Sequence, residues 1–142
     1  TVWLAVDDAN EENGCLKFIR GSHRDKNLKQ HEFNKDKNLT LHQELLKSEF
    51  NEKESVNLIL KRGQISLHDV YLVHGSDANL SSKSRRGMIM RFMPTTSVFD
   101  HNLAKEKYNN LNVSKYSNRK IYLARGFDKS KKNNLEVVNF QT

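Results

Sequence analysis

The chain has 142 residues, 24 Lys and Arg against 17 Asp and Glu, a formal net charge of +7 and a single cysteine. One cysteine excludes an internal disulfide framework and suits a reducing, cytoplasmic compartment, and no run approaches the ~20 apolar residues of a membrane span. The length suffices for one domain with a real core. The basic balance reads first as a solvated lysine-rich surface, with attraction of an anionic substrate as the functional alternative.

The first residue is Thr1 rather than Met, and residues 2–6 (Val-Trp-Leu-Ala-Val) already have the apolar, β-prone character of a strand interior. A piece of a longer protein is therefore expected. Residues 7–14 follow as an acidic turn closed by Asn13-Gly14, a strong turn signal. Residues 15–19 predict the next strand, and the two runs read as a hairpin with a long loop. Cys15 sits in an apolar run and reads as a small core hydrophobe. Trp3 reads, on residue type alone, as a core aromatic. Asp7 and Asp8 fall where Asp is common for turn reasons and are not assigned as ligands.

Residues 24–53 are polar and rich in lysine and read as a surface insertion, of the kind that shapes access to a site on a rigid scaffold. Leu39, Leu41, Leu45 and Leu46 suggest a short helical turn near 40–48. His31 and His42 lack metal-like spacing and read as solvated. Residues 54–60 alternate in part and predict a strand, Lys61-Arg62-Gly63 a turn, and residues 65–68 the opening of another strand. Beyond Pro94 the chain turns polar: loop or short helix over 100–120, a last strand or packing segment over 121–126, and a basic turn over 129–134. The sequence has no internal repeat, no Gly-rich phosphate loop and no interleaving of aromatic and basic residues for stacking on bases. Neither a nucleic-acid nor a membrane partner is expected.

Residues 63–94 organise the rest. Val73-His74-Gly75-Ser76 ends one apolar run, residues 77–84 form a polar linker rich in turn formers, and Arg85-Arg86-Gly87 opens a second apolar run that ends at Pro94. The two runs read as a strand pair with His74 and Arg85 at facing ends, eleven positions apart. Neutral imidazole is the commonest metal ligand among side chains, and a guanidinium is a natural fork for a carboxylate. Residue types alone leave His74 either as a surface histidine or as a ligand. His68 and His74 have the same parity and share a face if no bulge intervenes. His68-Asp69 lacks the one-residue gap that would let both face one ion.

Val73-His74-Gly75-Ser76, Asn79 and Arg85-Arg86-Gly87 resemble the C-terminal signature of the phytanoyl-CoA dioxygenase family. A second block matches in the family's order: Thr1 to Asp8 around Trp3, then Glu12-Asn13-Gly14-Cys15-Leu16, then Gly21-Ser22-His23. Arg20 stands where the family usually has Pro. The resemblance implies an all-β protein with minor helix, a double-stranded β-helix (jelly roll, cupin-like) whose N-terminal part is missing here. The implied domain organisation is a single partial domain over 1–142. Its core strands lie in about 1–23 and 54–94, with the insertion at about 24–53 and a C-terminal extension at about 95–142.

The implied activity is an Fe(II)- and 2-oxoglutarate-dependent dioxygenase, a hydroxylase of a small organic or acyl substrate that uses molecular oxygen, with ascorbate as accessory reductant. By the same resemblance His74 is an iron ligand. Arg85 pairs with the far carboxylate of 2-oxoglutarate, Ser76 assists on the same strand face, and Trp3 lines the co-substrate pocket. Arg86 is the runner-up to Arg85, and Arg91 shares the parity of Arg85. The family's His-x-Asp/Glu half of the iron site does not occur in these 142 residues, so the chain alone is expected to be inactive. Two other readings stand beside this one: a catalytically inactive β-helix binding module, and a basic nucleic-acid-binding protein. Retention of His74, Ser76 and Arg85 together argues against the first, and no motif supports the second.

Overall fold

The apolar runs of the first half form short strands that alternate between two sheets. In chain order they are β1 (Val2–Ala5), β2 (Leu16–Ile19), β3 (His31–Phe33), β4 (Gln43–Leu45), β5 (Ser55–Leu58), β6 (Ile65–Leu67), β7 (His74–Ser76) and β8 (Gly87–Met90). The computed structural model describes residues 1–36, 43–111 and 116–137.

The first sheet is three-stranded and antiparallel, ordered β6-β1-β8; the second has the order β5-β2-β7. The chain passes from the first sheet (β1) to the second (β2, β5), back to the first (β6), to the second (β7) and to the first again (β8). That winding is the double-stranded β-helix, or jelly roll, expected from the sequence. The result is all-β with one α-helix, α1 (His101–Leu111), among the described residues.

Strand alternation decides what lies between the sheets. On β1 the buried positions are Trp3 and Ala5, while Val2 and Leu4 face the other way. Trp3 and Ala5 form a small core with Ala9, Cys15 and Leu60, against which Leu16 of β2 and Leu58 of β5 pack. The register Leu16↔Leu58 and Phe18↔Val56 puts the inward face of the second sheet on even-numbered residues. The opposite face carries Lys17, whose Nζ bridges Glu52 at 2.6 Å and Asp77 at 2.5 Å.

The residues that read as a hairpin do not form one. β1 and β2 belong to different sheets, and residues 7–14 carry the chain across. Ala9 bridges to Leu60, with Ala9 N donating to Leu60 O at 2.7 Å and Leu60 N to Ala9 O at 2.9 Å. That pairing pulls the turn away from a tight reversal. The supposed strand pair of residues 63–94 is likewise divided. β6 stops at Leu67, His74 opens β7 rather than closing a longer strand, and β8 lies in the first sheet. Asp69 ends β6 by capping its own turn, its Oδ1 accepting from Tyr71 N at 2.9 Å.

In the insertion, β3 and β4 form a two-stranded ribbon, and Lys47–Glu49 is a single 3₁₀ turn. Of the helical turn expected near 40–48, Gln43–Leu45 is a strand and only the end, at Lys47–Glu49, is a 3₁₀ turn. Gln43 and Leu45 alternate with Glu44 as a strand requires, and four scattered leucines carry too little helical period to override that. Residues 37–42, with Leu39, Leu41 and His42, lie outside the described residues.

The chain divides into two compact units, Thr1–Glu32 with Leu45–Phe92, and Phe33–Glu44 with Met93–Thr142. The first holds both three-stranded sheets. The second contains α1 and a parallel pair, β9 (Ile121–Tyr122) with β10 (Leu135–Glu136). Its polar hub is Asn133, which accepts from Phe99 N at 2.9 Å and donates to Ser97 O at 2.9 Å and Asp128 Oδ1 at 3.2 Å. Among the described residues no helix is long and apolar enough to cross a membrane.

Candidate functional site between the sheets

Each of the four residues singled out by sequence lies on, or next to, an inward face of the first unit. Trp3 pairs with Ser66 and Ile89 in the first sheet, so those three side chains share a face. His74 and Ser76 pair with Phe18 and Leu16, which places both on the inward face of the second sheet. Arg85 precedes β8 by two residues and has the parity of Gly87 and Ile89, hence the face of Trp3.

The imidazole of His74 is fixed by its neighbour. Nδ1 lies 2.6 Å from the Leu72 carbonyl oxygen. A carbonyl only accepts, so Nδ1 carries the proton and Nε2 presents its lone pair. This is the tautomer in which histidines ligate metals through Nε2 while the other nitrogen is oriented by an acceptor. His74 also lines a cavity of about 100 Å³ with Val70, Leu72, Lys29, His31 and Leu45. Three of those side chains come from the insertion, which thus borders the approach to His74.

The two adjacent arginines have unlike surroundings. Arg86 is held by Asp7: Nε donates to Oδ2 at 2.8 Å, an Nη donates to Oδ1 at 2.8 Å, and the Arg86 backbone N–H donates to Oδ2 at 2.9 Å. This fork holds the Asp7 carboxyl well below the usual carboxylate range. Arg85 Nε, in contrast, is buried and has no hydrogen-bond partner. A buried N–H of a permanent cation without an acceptor is costly and rare. Its charge is felt by Cys15, whose thiol is pushed up chiefly by burial and drawn down slightly by Arg85.

Asp8 is also committed. It accepts from Arg62 N at 2.8 Å and from Lys61 Nζ at 3.2 Å, and both bonds lower its pKa. The acidic pair in the turn therefore serves the fold.

Three residues of the site were given no site role by sequence. Gly87 lies against the Trp3 indole so closely that an added Cβ would overlap the ring, 2.6 Å from Nε1. Only glycine lets the indole lie over β8 there. Asn13, 2 % exposed, is the hub of the crossing turn. Its Oδ1 accepts from Asn10 N at 2.8 Å, and its Nδ2 donates to Asp8 O at 2.8 Å and to Ser84 O at 3.4 Å. The last bond ties the turn to the residue before Arg85. The Asn10/Asn13 spacing was the available signal, since Asn13 N returns a bond to Asn10 Oδ1 at 3.2 Å.

His68 is the third. It follows β6 on the Trp3 face, and its ring stands 4.9 Å from that of His74, centroid to centroid, tilted by 48°. Parity alone suggested a shared strand face; the contact instead joins one sheet to the other. Burial and the neighbouring His74 push the His68 pKa down.

Whether these residues suit a metal and an anionic co-substrate can be tested on the donors themselves. The oriented Nε2 of His74 fits a metal, and the orphaned Nε of Arg85 fits an anion. Among the described residues no group of three or more His, Cys, Asp or Glu side chains could hold a metal ion.

Fold and site together define a class: a jelly-roll protein whose inward faces carry a buried indole, an exposed imidazole and a half-buried arginine with a buried Nε. The family model described as Phytanoyl-CoA dioxygenase (PhyH) matches residues 1–87, and the chain belongs to that family. The Phytanoyl-CoA dioxygenase domain-containing protein 1 homolog of Caenorhabditis briggsae is 34% identical over 97 residues, covering 65% of this chain and 33% of that protein. Phytanoyl-CoA dioxygenase 1 of Oryza sativa subsp. japonica is 34% identical over 94 residues, covering 66% and 32%. A 2-aminoethylphosphonate dioxygenase of an uncultured bacterium is 32% identical over 93 residues, covering 65% and 32%. The chain spans about a third of the length of the curated relatives it matches.

Proposed function

We propose that this chain forms the co-substrate half of an Fe(II)- and 2-oxoglutarate-dependent dioxygenase. The observation that carries the reading is the buried, unpartnered Nε of Arg85 beside an Arg86 already satisfied by Asp7. A carboxylate supplies the acceptor that Arg85 lacks, in a charge-assisted bond. In this reading Arg85 binds the far carboxylate of 2-oxoglutarate, Ser76 adds its hydroxyl from the facing sheet, and the Trp3 indole walls the pocket against water. His74 holds the iron through Nε2. When bound, iron and 2-oxoglutarate supply the oxidising power, with molecular oxygen as co-reactant and a small organic or acyl molecule as substrate.

The remaining iron ligands are assigned to sequence outside these 142 residues, in keeping with the length of the relatives. Family membership and the dioxygenase names of the relatives support the reaction class. The names differ in substrate, so they support no single one for this chain.

The test is calorimetric titration of 2-oxoglutarate into the metal-loaded full-length protein. Loss of a hydrogen bond to a charged group is worth about 1.5–3 kcal/mol, so Arg85→Gln should weaken binding roughly 10- to 100-fold. Arg86→Gln, which disturbs only the Asp7 fork, should leave affinity within about threefold of wild type by the same scale. Wild-type affinity in Arg85→Gln sinks the assignment. The alternative reading is an inactive binding module. Succinate released from 2-oxoglutarate by the iron-loaded full-length protein excludes it.

A further inference from the structure

We propose that the outer face of the first sheet is a docking surface for an amphipathic helix of the same polypeptide, supplied by sequence outside these 142 residues. The inference is independent of the metal and co-substrate reading above.

The register identifies the face. Val2 lies opposite Leu67 and Met90, and Leu4 lies opposite Ile65 and Met88. Alternation puts these six side chains on the side of the sheet away from Trp3 and Ala5. All are apolar. Ile65, Leu67 and Met88 are 53, 70 and 53 % exposed, and Val2, Leu4 and Met90 are half-buried. Single exposed apolar side chains are ordinary, whereas a contiguous apolar patch marks an interaction surface.

The second sheet is the internal comparison. Its outer face carries Lys17 opposite Asn57 and Ile19 opposite Ser55, and Lys17 is tied there to Glu52 and Asp77. That is the polar-out pattern of an antiparallel sheet with one face in water. The first sheet lacks it. Its strands are apolar at nearly every position, as in Met88-Ile89-Met90 of β8, the pattern of a sheet covered on both sides. One chain thus builds one sheet for water and another for a further layer.

Size selects the occupant. Three strands about 4.8 Å apart, of up to four residues at about 3.4 Å each, give a patch of roughly 14 by 14 Å, about 200 Å². A stable interface between separate chains takes about 800 Å² from each partner, so the face by itself is too small to hold a second copy. A tethered segment needs less area, because the tether sets an effective concentration of millimolar order. A helix rises about 1.5 Å per residue and is about 10 Å across, so roughly ten residues span the patch. Its apolar stripe meets the sheet while its backbone satisfies itself. The curated relatives have the length to supply it, since this chain spans about a third of theirs.

The experiment incorporates photo-methionine, close to methionine in size, into the full-length protein without any substitution. Equal amounts of ¹⁴N- and ¹⁵N-labelled chains are mixed and illuminated, and cross-links from Met88 and Met90 are mapped by mass spectrometry. The expected result is cross-links of a single isotope to a segment outside residues 1–142, with attachment points three or four residues apart, as on one face of a helix. Attachment points on alternate residues make the covering layer a strand and overturn the helix. Mixed-isotope cross-links mean a second copy and overturn the proposal. Cross-links confined to residues 93–142 overturn it by assigning the face to this chain's own C-terminal part. Water adducts alone mean a bare face and overturn it too.

Discussion

Replacing Asn13 by Ala removes the side chain that holds the crossing turn and the approach to Arg85 in one piece. The native amide makes two short bonds, to Asn10 N and Asp8 O at 2.8 Å each, and a longer one to Ser84 O at 3.4 Å. At a net value of about 1 kcal/mol per short bond, the two are worth about 2 kcal/mol. The residue is 2 % exposed, so the abandoned Asn10 N–H and Asp8 carbonyl are incompletely rehydrated, which adds about 1–2 kcal/mol. The expected loss is about 3–4 kcal/mol in urea unfolding followed by circular dichroism, a large fraction of a typical domain's stability. Asn13→Asp keeps the acceptor for Asn10 but replaces the donor by a charged acceptor facing the Asp8 and Ser84 carbonyls. It should be at least as destabilising near neutral pH. A loss in Asn13→Ala below about 0.5 kcal/mol, the level of an ordinary surface change, would refute the hub.

Other outcomes follow from the same structure. Gly87→Ala should cost about 1–3 kcal/mol through overlap with the Trp3 indole, and quenching or shift of the single Trp fluorescence should accompany it. Gly14→Ala should be destabilising too. Its φ is +72°, and an added Cβ would lie 2.5 Å from Asp77 O; thermal unfolding reads the loss. Asp7 holds its proton less tightly folded than unfolded, because Arg86 favours the carboxylate. Its contribution is therefore complete above the unfolded pKa of about 3.9 and fades as pH falls from there toward the depressed folded value. The stability gap between wild type and Asp7→Asn should be flat from pH 8 to 5 and shrink below pH 4; a gap that widens on acidification contradicts the assignment.

Strand positions in the first half were legible because β-prone apolar runs bounded by turn residues are local signals. Residues 2–6, 15–19 and 54–60 each contain a strand in place. Which strands would pair was not legible locally. Asn13-Gly14 advertises a turn, and a turn between two strands reads as a hairpin. The chain instead changes sheets there, through the Ala9–Leu60 bridge and the Asn13 bond to Ser84, contacts across 51 and 71 positions. The same holds for residues 63–94, where a polar linker between two apolar runs joins different sheets. The jelly roll was reached through the family resemblance, because winding is a property of long-range pairing and leaves no mark in a window of ten residues.

The arginine pair shows what the site adds to the sequence. Arg85 and Arg86 have one chemistry, and counting from His74 prefers Arg85 only by analogy. Hydrogen-bond accounting separates them on physical grounds. Asp7 satisfies Arg86 with a two-pronged bond and an added backbone contact, and Asp7 is available because the turn after β1 runs alongside the start of β8. Arg85, one residue earlier, has a buried Nε that finds no acceptor. One arginine is committed to the turn after β1, and its neighbour is left with an Nε that has no acceptor. Arg86→Gln should accordingly lower stability while sparing 2-oxoglutarate affinity, and Arg85→Gln should do the reverse, since it removes a buried N–H that lacks an acceptor. If both substitutions moved stability and affinity together, the division of labour between the two would be wrong.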